Sequence, residues 1–142
     1  MPQEFEIKLV ETYREIPIVE VEYLERTLLT AEKDLEQAQA LVDLPHPVFA
    51  GLINYSNVSN ASEYGPENQV EARRNGPLTE LKSRLITLVP YQAASFATMI
   101  GTMRADMLLR QAVQSQFASD FNSALRIARR AIDHFQREHV LE

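Results

Sequence analysis

Val21, Leu24, Leu28, Ala31, Leu35, Ala38 and Val42 recur at alternating spacings of three and four residues. That rhythm describes one face of an α-helix, and a coiled-coil seam in particular. No other feature constrains the chain as strongly. Glu22, Glu25, Arg26, Glu32, Lys33, Asp34, Glu36, Gln37 and Gln39 lie between the seam positions and belong in water. The pattern predicts a first helix over residues 18–43. Pro17 suits its first turn, where the missing N–H removes no bond. Pro45 and Pro47 stop it. Ala31 and Ala38 would let another helix approach closely, and the alanines Ala124, Ala128 and Ala131 make the last helix of the chain the natural partner.

Upstream of the seam, Phe5, Ile7 and Leu9 alternate with polar residues, which reads as strand. Ile16, Ile18, Val19 and Val21 form a second β-like run, so residues 4–22 could make a hairpin. Leu9, Tyr13 and Ile16 also fit one helical face, and a segment this short reads both ways.

Downstream, residues 48–53 are apolar and short, a candidate buried turn of helix. Asn54, Asn57 and Asn60 each open an Asn-x-Ser triplet. These are formal glycosylation acceptors, set aside because the N-terminus lacks a secretory signal. Asn and Ser favour turns and local bonds to the backbone over helix interiors. Residues 54–76 are therefore expected to form one long polar loop, with Tyr55, Tyr64, Arg73 and Arg74 as candidate partner-binding residues. The competing reading is a plain linker.

A second helix is expected from Pro77, carrying Leu78, Leu81, Leu85 and Leu88 and stopped by Pro90. A third runs from Tyr91 to about Ser115, with Phe96, Ile100, Met103 and Met107 on one face; its methionines read as core filling. The last begins after Ser119 or Asp120, either a good N-cap. Phe117, Phe121, Ala124, Ala128, Ala131 and Phe135 form its apolar stripe, and Arg126, Arg129 and Arg130 lie off it and complete the candidate partner-binding set. The run from Asp120 to Ile132 resembles the second helix of a tetratricopeptide repeat. At a 34-residue shift, however, Ala124 maps back to Pro90, and one unit builds no solenoid, so the run is read as a helical hairpin with small residues at the contact.

Charge and composition narrow the chemistry. The 142 residues suit a single domain, and the absence of cysteine excludes a disulfide framework, a thiolate zinc site and a cysteine nucleophile. No apolar run approaches the roughly 20 residues that span a bilayer. The net charge of −6 argues against a general nucleic-acid binder. It is unevenly placed: residues 1–45 hold eleven acidic and four basic side chains, whereas residues 91–142 hold five and six. His134 and Glu138 form an i,i+4 pair, but no third ligand joins them at a metal-binding spacing. The four glycines are too scattered for a phosphate loop.

These observations predict an all-α bundle of about four main helices with one long polar loop, in a single domain over residues 1–142. The alternative is α+β with an N-terminal β-hairpin. The expected function is a non-enzymatic helical interaction or assembly module, a small subunit or adaptor that binds another protein or a second copy of itself. Two alternatives stand beside it: an enzyme with a site formed between subunits from His134, Glu138 and arginines, and a nucleic-acid binder through the C-terminal arginines. No catalytic residue, metal or cofactor is expected, nor any membrane association, and the expected location is cytoplasmic.

Overall fold

The computed structural model describes residues 5–25, 27–29, 31–61, 80–81, 83–91 and 118–139. The N-terminal hairpin is present. Strands β1 (Phe5–Tyr13) and β2 (Ile16–Tyr23) pair antiparallel, from Phe5 opposite Tyr23 to Tyr13 opposite Ile16. The two-residue turn takes Arg14 and Glu15 into positive φ, at 50° and 71°. Hairpins favour such a turn because its twist matches that of the strands, but the conformation is costly without glycine.

A short β3 (Thr27–Leu29) leads into helix α1 (Ala31–Val42). Strand β4 (Phe49–Asn54) then pairs parallel to β2, and β5 (Val58–Ala61) pairs parallel to β3 in a separate two-stranded ribbon. Strand β6 (Leu85–Tyr91) pairs parallel to β4, and helix α2 (Phe121–His139) follows. The larger sheet has the order β1-β2-β4-β6.

Both faces of this sheet are covered. Val19, Val21, Tyr23, Phe49, Ile53, Leu85 and Leu88 pack with Ala38, Leu41 and Val42 of α1 on one side. Ile18, Ala50, Leu52, Val89 and Tyr91 pack with Ala124, Ala128 and Ile132 of α2 on the other. Parallel sheets are normally buried on both faces in this way.

The chain is thus a mixed α/β fold and not an all-α bundle. Residues 18–29 of the expected first helix are largely strand, and α1 starts only at Ala31. The three–four seam misleads because it joins one face of β2 to one face of α1. Val21 belongs to the strand, Ala38 and Val42 belong to the helix, and all three enter the same core cluster. Gln37, placed in water by the helical reading, is fully buried on α1, where its side-chain oxygen accepts the Tyr23 hydroxyl at 2.8 Å.

The expected second helix fails for a related reason. Glu80, Leu81, Ser83 and Arg84 are helical, but strand begins at Leu85. The ladder between β4 and β6 then slips: Phe49 lies opposite Leu85 and Gly51 opposite Leu88, so three steps on β6 match two on β4. This bulge puts Leu85 and Leu88 on one face of a strand at a helical spacing. Both leucines close over Gly51, where an added Cβ would lie 3.0 Å from Leu88 Cδ1 and 3.6 Å from Leu85 Cδ1. Pro90 lies within β6 rather than ending a helix. Apart from Tyr91, which ends β6, the expected third helix lies outside the described residues, as do Tyr64, Arg73 and Arg74. The head of the expected polar loop is partly strand, since β5 covers residues 58–61.

The last helix forms as its periodicity predicts. Asp120 caps it, accepting the Ser123 backbone N–H at 2.7 Å, and that bond holds the Asp120 carboxyl below the usual range. The contact expected between the first and last helices does not form, because α1 and α2 lie on opposite faces of the sheet. The alanines of α2 instead bring its backbone close to Ala50 and Leu52. Among the described residues, no helix is long and apolar enough to cross a membrane.

Candidate functional site

In open α/β sheets, ligand sites form at the carboxyl ends of the parallel strands. That end of this sheet carries a polar group on the face that α2 covers. Alternation along β2 places Glu20 and Glu22 on the same side as Ile18, while Asn54 ends β4 and Tyr91 ends β6. Lys8 lies directly opposite Glu20 on β1.

Glu20 is the centre of the group and is only 3% exposed. Its Oε1 lies 3.4 Å from Lys8 Nζ, and its Oε2 accepts a short hydrogen bond from the Tyr91 hydroxyl. Lys8 also lies 3.6 Å from Glu22 Oε2, which Asn54 Nδ2 approaches at 3.4 Å. The charge of Glu20 raises the Lys8 pKa above its ordinary value, so Lys8 stays cationic. Burial, reinforced by the Glu20 hydrogen bond, pushes the Tyr91 hydroxyl far up, so it remains a donor. With both oxygens engaged, the carboxylate is suited to tying β1, β2 and β6 together across β4 more than to abstracting a proton.

Tyr91→Phe should therefore lower stability by about 1–3 kcal/mol, because one oxygen of a buried carboxylate loses its donor. Urea denaturation measures it, and a double-mutant cycle with Glu20→Gln isolates the coupling. A loss within about 0.5 kcal/mol would mean that water replaces the hydroxyl.

Sequence periodicity gave Glu20 no prominence, because a helical reading set the acidic residues of this region in solvent. The available signal was cross-strand charge matching. Folding residues 4–22 as a hairpin sets Lys8 against Glu20.

A second polar cluster fastens α2 to the hairpin. Asp133 accepts the Tyr13 hydroxyl at 3.1 and 3.2 Å and pairs with Arg14 at 2.7 Å. The Arg14 contact, foremost, holds the Asp133 carboxyl below its usual range. Gln136 Nε2 donates to the Arg14 carbonyl at 2.6 Å, so α2 grips the positive-φ turn from both its side chain and its backbone.

The candidate partner-binding residues separate. Tyr55 is fully buried and stacked on Tyr23 at 6.4 Å, which makes it a core residue. Arg129 is committed to Glu11 at 2.6 Å and lies 5.8 Å from the Tyr13 ring centroid. Arg126 and Arg130 are exposed on α2. His134 pairs with Glu138 at 3.1 Å, both side chains being largely exposed. Among the described residues, no three His, Asp or Glu side chains converge as a metal site.

No protein-family model matches the chain. No curated protein matches it either. Among solved structures, it is similar to an uncharacterized protein of the DUF3478 family with a SpoIIAA-like fold from Shewanella loihica PV-4. The TM-score is 0.47 and the identity 12%, over 90% of this chain and 98% of that one.

Proposed function

We propose that the chain is a non-enzymatic interaction module that docks an acidic partner protein on the outer face of α2. The observation that carries this reading is the arrangement of Arg126, Arg130 and Arg137. At 3.6 residues per turn they fall within about 40° of one another, opposite the stripe that Ala124, Ala128 and Ile132 bury. All three are exposed, and none makes an ion pair among the described residues. In a chain of net charge −6, such a face offers local attraction to an acidic surface. Arg129 is excluded from it by its bond to Glu11. A cytoplasmic location, with no metal or cofactor, belongs to the same proposal.

Fluorescence anisotropy with labelled polyglutamate and with single-stranded RNA, across a salt series, tests it. The expected result is salt-sensitive binding of polyglutamate, weakened about tenfold or more in the Arg126→Glu/Arg130→Glu variant. That variant should stay within about 0.5 kcal/mol of the parent in stability, because both side chains are exposed. Preference for RNA would move the reading to nucleic acid, and no binding of either polyanion at low salt would remove the docking face.

A further inference from the structure

β1 is an outer strand, with β2 on one side and no neighbour on the other among the described strands. Its first half is regular. Pairing with β2 is unbroken from Phe5 opposite Tyr23 to Leu9 opposite Val19, and the register slips between Leu9 and Glu11. Val10 is the inserted residue, and a bulge of this kind bends and twists the strand away from its edge. What remains is a five-residue edge over residues 5–9, with Ile7 at its midpoint.

The charges on this edge are symmetric about Ile7 and opposite in sign. Glu6 precedes it and Lys8 follows it. Within the chain, Glu6 lies directly opposite Glu22, a like-charge pair that is unfavourable. Lys8 is drawn to Glu20 and Glu22 instead. Leu9, at the end of the regular edge, is 57% exposed.

We infer that the protein pairs with a second copy of itself through β1, antiparallel and centred on Ile7, joining two four-stranded sheets into one. This register places Glu6 opposite Lys8 of the second copy and Lys8 opposite its Glu6. Each Glu6 then faces a cation that its own chain does not place beside it, and each exposed Leu9 is set opposite Phe5 of the other copy, at the edge of that copy's core. A register centred on Leu9 would instead set Ile7 against Glu11 and run into the bulge at Val10. An edge of this length is smaller than a standard stable interface, so the dimer forms at roughly micromolar concentration or above. It uses a surface separate from the arginine face of α2, and the failure of either leaves the other standing.

The absence of native cysteine makes single-cysteine cross-linking unambiguous. Under mild oxidation, Ile7→Cys should form a covalent dimer, because directly opposed residues meet the distance a disulfide needs. Leu9→Cys should not, since the two sulfurs would be offset by four residues, roughly 13 Å along the strands. A mixture of Glu6→Cys and Lys8→Cys, which leaves Ile7 intact, should cross-link more than either variant alone. Sedimentation of the wild-type chain from micromolar to submillimolar concentration should show a reversible dimer of the 16.2 kDa chain, with Leu9→Arg raising its dissociation constant about tenfold or more. A monomer throughout would overturn the inference. So would a dimer that cross-links at Leu9→Cys and not at Ile7→Cys, or one that cross-links in neither these variants nor the mixture.

Discussion

Leu52→Ala and Ile53→Ala, made separately, should each destabilise the protein by about 2–5 kcal/mol, read from urea denaturation midpoints. The two residues are neighbours on β4, and both are fully buried. Leu52 belongs to the core that Val89, Ala124 and Ala128 share under α2, whereas Ile53 belongs to the core that Tyr23, Leu41 and Leu88 share under α1. Consecutive strand residues point to opposite faces, so two large losses in a row require a cover on each face. A sheet with one solvated face would show a large loss at one position and a change within about 0.5 kcal/mol at the other. That second result would remove one of the helices from the sheet. Because the sites lie on opposite faces of the strand, the double variant also measures how far the two cores are coupled.

Arg84→Ala should cost about 2–4 kcal/mol, the loss expected when a mostly buried cation stops satisfying several backbone carbonyls. Its guanidinium donates to Val42 O at 2.5 Å, to Leu44 O at 2.7 Å, and to His46 O at 2.6 and 3.2 Å. It lies 5.8 Å from the centroid of the fully buried Phe49 ring. The last turn of α1 contains no basic residue, and Arg84, just ahead of β6, supplies a cation to its negative dipole end and a donor to its last carbonyl, Val42 O. Arg84 thereby holds the connection between α1 and β4, which carries Pro45 and Pro47. Arg84→Lys should recover less than half of the loss, because an ammonium is a single point of donors while these carbonyls are matched to a planar fork. Thermal and urea melts of the two variants check this, and equal stability of Lys and Arg at this site would mean that charge alone matters there.

The parts of the fold that were legible in the sequence are those held by local physics. The stripe of Phe121, Ala124, Ala128, Ala131 and Phe135, the Asp120 cap and the off-stripe arginines specify α2, because a helix bonds within itself and shows its buried face at a local period, although the burial centres on Ala124, Ala128 and Ile132. The alternation of Phe5, Ile7 and Leu9 against Glu6 and Lys8 left the hairpin open as an alternative, since β1 is the strand with an exposed side. Arg126 and Arg130 were legible as surface residues for the same reason as the helix that carries them.

The sheet was not legible, and neither was Glu20. A strand buried on both faces loses its alternation, as residues 49–53 do, and then resembles any short apolar run. The bulge opposite Gly51 gave Leu85 and Leu88 a helical spacing on a strand, and the passage from β2 into α1 stitched two elements into one apparent seam. The composition determined by itself that the protein is acidic and cysteine-free, and the local patterns determined where its last helix lies. Which residues are core, which carboxylate is buried and which helix faces which was decided by the pairing of β2, β4 and β6. That pairing joins residues far apart in sequence, and its hydrogen bonds leave no periodic mark on either strand.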